Sequence, residues 1–459
     1  MGCATFTDLV IGPPSTNRPQ YKTAVPTHMN LITYPLPSRV VNDCLELVAL
    51  ILENVFENVK NGSGRNYRKD LRTAVSVCRI WRTAGIKYLF RIMVIGSQQQ
   101  ILNLYHWTSI CENQHPSMVL IYNLRESNFR RLGEKAVWWR DSLSLLLLGK
   151  LDLSSTEEVR ICGGYPDSED SEHGGLEPLF CLWKKMPKLR LVDCTFSDFS
   201  ISSASSFLLG MDRCKKLTEI RFRKWSVHNF LPSDAKQFPP RTCIERLECE
   251  GSQLEYIGEK EAINTNSVKH IVLTVAGTTD IEGIEAGMGF FLYLETIEIR
   301  MLANDGYPNI DPPSSLTELI VTVFTKTWAC FTGLHYLLEL LKGPESWDGL
   351  VILHLKMTPM HSYAVTKELQ DCQMWEVLGE VLKDVHRFPQ LFTIEIEILQ
   401  DTRHVFPWSG QSPKDEKGIL ASAGVETRES ETRMAISRGS QYLESTRDVN
   451  ISITFEHCY

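Results

Sequence analysis

The chain has 459 residues, 43% of them apolar, so it is long enough to bury a large hydrophobic core. Its formal net charge of −8 at pH 7 argues against nucleic acid as the main partner, because binding phosphate requires a basic surface. No apolar run approaches the roughly 18 residues that a membrane-spanning helix requires, so we expect no membrane partner.

The cysteines and the absence of catalytic motifs limit the function further. Thirteen cysteines are spread along the chain without a CxxC pair, which favours a reducing, intracellular compartment, cytoplasmic or nuclear. That pattern predicts neither a metal site nor a disulfide framework. The sequence also lacks a GxxxxGK[ST] loop and the HExxH and GxSxG motifs. We therefore expect no cofactor, no catalytic residues and no enzymatic activity.

Two N-terminal segments differ in character. Residues 1–39 are rich in proline, which blocks helix interiors, so we expect a flexible leader there. Residues 40–90 predict a helical module, because apolar residues recur at helical spacing in two stripes. The stripes comprise Leu47, Leu50, Ile51 and Val55, and then Leu71, Ala74, Val75 and Cys78. A strand over 90–95 and a helix over 97–111 should follow, with Ser97 as the N-cap.

Beyond residue 133 a short apolar phrase recurs: an apolar residue, two others, a second apolar residue, one other and a third apolar residue. Successive copies start 22 to 41 residues apart. The copies are Leu189/Val192/Cys194, Leu217/Ile220/Phe222, Ile244/Leu247/Cys249, Val268/Ile271/Leu273, Leu294/Ile297/Ile299, Leu316/Leu319/Val321, Leu350/Leu353/Leu355 and Leu391/Ile394/Ile396. Weaker copies are Thr156/Val159/Ile161 and Asp448/Ile451/Ile453.

The last two apolar positions of each phrase lie two residues apart, which is strand periodicity and places both side chains on one face. Helix-compatible stretches separate the phrases, over 204–214, 283–292, 333–342 and 374–387. One strand and one helix per repeat predict an α/β solenoid over residues 91–459, whose repeats stack to bury a common core. A polar segment at about 401–447 interrupts the pattern and predicts a solvated insertion before a final strand.

The helical module resembles an F-box of the kind found in large fungal families. The matching residues are Glu46-Leu47-Val48, Ile51-Leu52-Glu53-Asn54-Val55, Arg68-Lys69-Asp70-Leu71, Val77-Cys78-Arg79-Ile80-Trp81-Arg82 and Tyr88-Leu89-Phe90-Arg91. The Val-Cys-Arg-x-Trp sequence is the most specific part. The sequence departs from the family at Asp43-Cys44, where Leu-Pro is usual, and in its longer connection between Ile51 and Val77.

The F-box resemblance implies a partner and a role. F-box modules bind the Skp-type adaptor of cullin–RING ubiquitin ligases, and the downstream domain holds the protein to be ubiquitylated. The residues implied to bind the adaptor are Glu46, Leu47, Ile51, Leu52, Val77, Cys78 and Trp81. Of these, Leu47, Ile51, Leu52 and Trp81 would form an exposed apolar patch. The alternative is that the stripe is internal core and that the module only caps a protein-interaction scaffold.

The repeats over roughly 156–400 resemble leucine-rich repeats, a family whose strands line a horseshoe. The Asn or Cys that this family places three residues after the last apolar position is absent. Ser197, Trp225, Ser252, Ala276 and Leu302 stand there instead. The turns after these strands must therefore be satisfied by other groups.

In such a horseshoe, the strand residues that alternate with the buried ones line the concave surface. The charged ones are Asp193, Arg221, Arg223, Glu248, Glu250, Glu298, Arg300, His354, Lys356, Glu395 and Glu397. Charges of alternating sign suit recognition of an oppositely patterned protein segment, so these residues are candidates for binding a protein substrate of unknown identity. The alternative is that they are polar only because exposed strand positions usually are.

Overall fold

The computed structural model describes residues 47–48, 51–52, 81, 92–110, 119–123, 141–163, 177–196, 211, 214–223, 243–259, 263–302, 306–325, 333–344, 346–359, 372–401, 430, 433–434, 436–438 and 449–458. The chain divides into two compact units, Met1–Arg190 and Leu191–Tyr459. The predicted leader over 1–39 and most of the predicted helical module over 40–90 lie outside the described residues.

The first unit contains three parallel strands in chain order. Its elements are β1 (Ile92–Ile95), α1 (Gln98–Ile110), β2 (Val119–Asn123), α2 (Ser142–Lys150), β3 (Glu158–Gly163), α3 (Glu177–Phe180) and a 3₁₀ turn (Cys181–Lys185). The strand and the helix predicted around Ser97 are confirmed as β1 and α1. The Ser97 hydroxyl accepts a hydrogen bond from the Gln100 N–H at 3.3 Å, which identifies Ser97 as the N-cap.

Helix α2 was not expected from the sequence, and its start is fixed by a cap. The Asp141 carboxylate accepts a hydrogen bond from the Ser144 N–H at 2.7 Å. Its interaction with Ser144 holds the pKa of Asp141 below its usual value. The leucine run of this helix places Leu147 and Leu148 in the core, whereas Leu143 and Leu146 are exposed.

The second unit contains nine described strands, each hydrogen-bonded in parallel to the next in chain order. The strands are β4 (Leu191–Phe196), β5 (Glu219–Arg223), β6 (Arg246–Glu250), β7 (His270–Val275), β8 (Thr296–Met301), β9 (Glu318–Thr325), β10 (Ile352–Pro359), β11 (Thr393–Asp401) and β12 (Asn450–Cys458). The helices are α4 (Gly251–Glu259), α5 (Thr278–Gly287), α6 (Gly333–Lys342) and α7 (Cys372–Leu382), with 3₁₀ turns at Thr265–Ser267 and Met288–Phe290.

The recurring apolar phrase is confirmed as the core of the repeats. In every complete copy from residue 189 to residue 396, all three apolar positions are buried. Each buried aliphatic side chain contributes roughly 1.5–3 kcal/mol, so stacked repeats accumulate a large hydrophobic stabilisation. The early copy forms β3 and the late copy forms β12, so the predicted parallel α/β, solenoid-like arrangement is confirmed for the described strands.

A backbone ladder links the turns that enter the strands. In the six phrases from Ile244 onward, the residue after the first apolar position donates its N–H to the equivalent carbonyl of the preceding repeat, at 2.8–2.9 Å. The pairs are Glu245→Thr218, Lys269→Glu245, Glu295→Lys269, Thr317→Glu295, Val351→Thr317 and Phe392→Val351. Hydroxyl groups add to it, since Ser315 donates to the Leu294 carbonyl at 2.8 Å. The same turn geometry therefore recurs at the first apolar position of these repeats.

The turns that leave β6 and β7 lack the family's asparagine, and one carboxylate serves both. Asp280, at the start of α5, accepts a hydrogen bond from the Ala276 N–H at 2.7 Å and one from the Ser252 N–H at 3.0 Å. Both donors stand where leucine-rich repeats place Asn or Cys. Asp280 is buried, so these bonds satisfy its charge and tie two repeats together.

The helix boundaries correct several predictions. The helix over 333–342 is confirmed as α6, whereas the one over 283–292 begins five residues earlier, at Thr278, and ends in a 3₁₀ turn. Helix α7 spans Cys372–Leu382 rather than 374–387. Helix α4 was missed, because β6 runs directly into it without a turn sequence.

Glycines allow α4 and α5 to pack at unusually short range. A Cβ atom on Gly283 would lie 2.5 Å from the Gly251 carbonyl oxygen and 2.6 Å from the Ser252 Cα. A Cβ on Gly287 would meet the backbone of α4 in the same way. Only residues without a side chain permit this approach, which brings the helices of neighbouring repeats together beneath β6 and β7.

The predicted polar insertion at 401–447 is described only in part. Residues 433–434 and 436–438 are helical, and Ile436 is buried, so this part is not the fully solvated loop that the composition indicated. The Arg433 guanidinium donates to the Ile453 carbonyl of β12 at 3.0 Å. The interaction covers a backbone acceptor on the last strand, as proteins commonly do at sheet edges.

Candidate protein-binding surface

The charged strand residues of the second unit share one face. On each strand they alternate with the buried apolar positions, whose side chains face the helices. We call these alternating side chains of β4–β11 the strand face. All the predicted substrate-facing residues lie on it: Asp193, Arg221, Arg223, Glu248, Glu250, Glu298, Arg300, His354, Lys356, Glu395 and Glu397.

The charges on β4–β8 converge into one group, which we call the arginine cluster. It comprises Asp193, Glu219, Arg221, Arg223, Arg246, Glu248, Glu298 and Arg300. It holds equal numbers of carboxylates and guanidinium groups, so its formal charges cancel. Each member has at least one partner of opposite charge within 4.0 Å.

Glu248 is the centre of the arginine cluster, and its side chain is only 5% exposed. Its Oε1 lies 2.8 Å from Arg300 Nη1 and 3.1 Å from Arg223 Nε, and its Oε2 lies 3.6 Å from Arg221 Nε. A carboxylate so far removed from water requires this compensation, because an unpaired buried charge is strongly destabilising.

Two ion pairs of the cluster cross a whole strand. Arg300 on β8 reaches Glu248 on β6, and Arg246 on β6 lies 3.9 Å from Glu298 on β8. Strand β7 lies between them, and its Val272 is in register with both Glu248 and Glu298. Val272 is buried although it belongs to the strand face, because the side chains of these two ion pairs cross β7.

The pKa values of two arginines reflect the opposing effects of burial and of ion pairing in the cluster. Burial by itself lowers the pKa of Arg221, but Glu219 and Glu248 together raise it above its ordinary value. The pKa of Arg300 is likewise lowered by burial and raised, on balance, by Glu298 and Glu248. On the opposite side of β6, burial raises the pKa of the Cys249 thiol, and the neighbouring carboxylates raise it further.

These contacts correct part of the predicted substrate-facing surface. Asp193 and Glu248 are buried, so neither presents an open carboxylate to a partner. The reason is that arginines on adjacent strands fold over them. Glu219 and Arg246 were not predicted, although both belong to the cluster. They lie one two-residue step before the predicted positions, so extending the same alternation would have found them.

A second charged group lies on β10 and β11 and comprises His354, Lys356, Glu395 and Glu397, the His354 group. Glu397 Oε2 is 3.2 Å from His354 Nε2 and 3.0 Å from Lys356 Nζ. Glu395 Oε2 is 3.5 Å from His354 Nδ1. A neutral imidazole donates only one hydrogen bond, so it cannot donate to both carboxylates at once. The His354 ring can do so only in its protonated form.

Glu395 differs from the carboxylates of the arginine cluster in its exposure. Its side chain is 45% exposed, and it lies 3.5 Å from the His354 ring, which is charged only when protonated. The strand face around it is acidic, since Glu318, Glu395 and Glu397 on β9–β11 outnumber Lys356. Among the carboxylates that form ion pairs on the strand face, Glu395 is therefore the one most open to a partner.

The predicted adaptor-binding residues are described only in part. Leu47, Ile51, Leu52 and Trp81 are described, whereas Glu46, Val77 and Cys78 lie outside the described residues. Leu47 and Ile51 are helical, lie one turn apart and are 60% and 42% exposed. Leu52 is only 1% exposed, which corrects its place in the predicted exposed patch. Its neighbour Val48 is also buried, so the helix is amphipathic.

The described residues show neither a metal cluster nor a spanning helix. Within the described part of the chain, no group of three or more His, Cys, Asp or Glu side chains is placed to hold a metal ion. No helix there combines the length and the apolar character that crossing a membrane requires.

Comparisons with known proteins give a likeness in structure but none in sequence. No protein-family model and no curated protein matches the chain. A chain of the crystal structure of the Rad7 and Elc1 complex in yeast is similar to it, at 14% sequence identity and a TM-score of 0.28. The match covers 82% of this chain and 94% of that one. At this identity and TM-score, the likeness carries no inference about partners or function.

Proposed function

We propose that this protein is a non-enzymatic adaptor, the substrate-recruiting subunit of a Skp–cullin–F-box type ubiquitin ligase. In this proposal the helical module at 40–90 binds the Skp-type adaptor, and through it the cullin. The strand face of the second unit binds a protein substrate. The work would take place inside the cell, in the cytoplasm, the nucleus or both.

The exposed pair Leu47 and Ile51 is the observation that carries the adaptor half. These large aliphatic side chains lie one helical turn apart and stay largely exposed, whereas their neighbours Val48 and Leu52 are buried, so the helix presents an exposed apolar stripe. An amphipathic helix with such a stripe suits a groove in a partner. The stripe coincides with the residues that resemble the F-box.

The repeat architecture supports the substrate half. Stacked strands present one long row of side chains, and rows of this kind recur in proteins that bind other proteins. The charges that remain open on β9–β11 provide polar recognition around half-buried Ile320. The arginine cluster supplies a rigid neighbouring surface.

Binding of the purified full chain to a recombinant Skp-type adaptor tests the proposal. We expect binding by the unaltered chain and at least a 100-fold loss in the double variant Leu47→Asp, Ile51→Asp, because two charges would enter an apolar interface. Since both side chains are exposed, the variant should keep its circular dichroism spectrum and its melting temperature.

The matched control replaces Leu143 and Leu146 of α2 with Asp. These leucines are also exposed and three residues apart on a helix, but they lie outside the F-box-like module. The control should bind the adaptor normally. Absence of binding by the unaltered chain would contradict the ubiquitin-ligase role and leave the module as a cap of an interaction scaffold.

A further inference from the structure

Strand β9 separates the two charged groups of the strand face. Its first face position carries Glu318, and the next two carry uncharged side chains, Ile320 and Thr322. The registered neighbours are Glu298 and His354 for Ile320, and Arg300 and Lys356 for Thr322. Long charged side chains therefore flank a strip of short ones, which makes a shallow groove along β9.

The charged ends of the flanking side chains point away from this groove. Arg300 reaches back across β7 to Glu248, at 2.8 Å. Lys356 reaches forward to Glu397 on β11, at 3.0 Å. The groove is consequently bordered by the aliphatic parts of these side chains, and Ile320 is only half-buried on its floor.

The groove contains a buried hydroxyl group without a hydrogen bond. Thr322 is 6% exposed, and its Oγ1 has no hydrogen-bond partner in the structure. Leaving a buried hydroxyl unsatisfied costs roughly 1–3 kcal/mol. Arg300 and Lys356 are its registered neighbours, so a bound group that reaches between their aliphatic stems would gain a hydrogen bond that the free protein does not make.

The charge beside the groove favours a basic partner. Glu395, two strands away on β11, is the most exposed carboxylate among the ion pairs of the strand face, at 45%. The Glu318 carboxylate on β9 itself accepts a hydrogen bond from the Thr296 hydroxyl, at 3.1 Å. The arginine cluster is neutral, so it offers no competing attraction for a cation.

We infer that the β9 groove binds an extended segment of a protein partner that carries an aliphatic side chain and, two residues away, a lysine or arginine. The aliphatic side chain lies on Ile320, a polar group of the segment bonds the Thr322 hydroxyl, and the basic side chain pairs with Glu395. This inference rests on the proposed function, in that it names the class of substrate segment that the strand face takes.

The strand spacing sets the distance between the two partner residues. Adjacent strands lie about 4.8 Å apart, so the side chains of β9 and β11 are separated by roughly 10 Å. The backbone of the segment crosses the strands above the groove, which only its aliphatic side chain enters, and it advances about 3.3 Å per residue. Side chains of an extended segment alternate between its two faces, so the basic residue stands two positions from the aliphatic one, and the length of the lysine or arginine side chain spans the remaining distance.

A peptide array probed with the full chain tests the inference. The probes are extended peptides with leucine and lysine two residues apart, in either order, beside matched peptides with glutamate for lysine or glycine for leucine. We expect the leucine–lysine peptides to bind at least tenfold more tightly than either matched set. Equal binding of all three sets, or no binding by any, would overturn the inference.

Variants of the chain localise the site. Glu395→Lys and Ile320→Ala should each weaken leucine–lysine binding by about tenfold, which corresponds to about 1.4 kcal/mol. Thr322→Val, which keeps the shape but removes the hydroxyl, should weaken it by about threefold, within the usual range for one hydrogen bond. Thr274→Val on β7 and Glu376→Lys on exposed α7 are the matched controls and should bind normally.

The same preparations separate this inference from the proposed function. Every variant is also assayed for binding to the Skp-type adaptor, which none of these substitutions should affect. Peptide discrimination that fails while adaptor binding persists overturns only the groove. Adaptor binding that fails while the peptides still discriminate overturns only the ubiquitin-ligase role. Loss of peptide binding in the two controls as well would show that the site lies elsewhere.

Discussion

The arginine cluster and the His354 group lie on the same face of the same sheet and come from one pattern of alternating charged residues. In the arginine cluster, Glu248 is nearly inaccessible and is surrounded by three guanidinium groups. In the His354 group, Glu395 remains half exposed. The difference teaches that the sign pattern of a strand face does not identify a binding surface, because exposure and internal partners decide which charges are left for recognition.

Gly283→Ala tests whether helix packing beneath the arginine cluster contributes more than the charges above it. The new methyl group would meet the Gly251 carbonyl and the Ser252 backbone, neither of which can swing aside. We expect the free energy of unfolding to fall by about 3 kcal/mol, measured by chemical denaturation. Gly289→Ala is the control, because a Cβ there meets no atom within 4 Å and should change stability little.

Glu248→Gln breaks the arginine cluster at its centre. It keeps the shape of the side chain but leaves three guanidinium groups without their shared carboxylate. We expect a loss of about 2 kcal/mol in the free energy of unfolding, less than for a fully buried pair because the arginines are about one-third exposed. A loss below 0.5 kcal/mol would show that the cluster is an ordinary solvated surface.

Thr322→Val tests strand β9, which separates the arginine cluster from the His354 group. Removing a buried hydroxyl that makes no hydrogen bond should stabilise the free protein by about 1 kcal/mol, seen as a higher melting temperature. A destabilised variant would indicate that the hydroxyl is already bonded within the chain. Because the same substitution is expected to weaken peptide binding, stability and affinity should change in opposite directions.

Glu395→Gln should have the smallest effect on stability. Its carboxylate is half exposed and shares one histidine, so we expect a change within 0.5 kcal/mol in chemical denaturation. A loss as large as that of Glu248→Gln would mean that the His354 group is also an interlocked part of the fold.

The sequence predicted the repeats well because their main determinant is periodic burial. The phrase Leu294/Ile297/Ile299, for example, predicts a strand with its buried face, and the structure confirms both. It does not reveal Asp280, whose carboxylate replaces the missing asparagine ladder by bonding the backbone of two repeats. Such a role depends on where one side chain points after folding, and no spacing rule encodes that.

The sequence predicted which residues lie on the candidate surface, but not which of them are exposed. Alternation placed Glu248 and Glu395 on the same face correctly. Their different exposure follows from arginines that reach across β7, a distance set by the fold and by long flexible side chains. In the helical module, likewise, the predicted exposed patch included both Ile51 and Leu52. Only the folded helix distinguishes the exposed residue, Ile51, from the buried one, Leu52.

The most direct test of this division measures stability and binding together in two isosteric variants, Glu248→Gln and Glu395→Gln. The account predicts that Glu248→Gln lowers the free energy of unfolding while its folded fraction binds the leucine–lysine peptides normally. It predicts that Glu395→Gln leaves unfolding unchanged and weakens those peptides several-fold. If both variants lose the same property, stability or binding, the division of the strand face into an interlocked half and a binding half is contradicted.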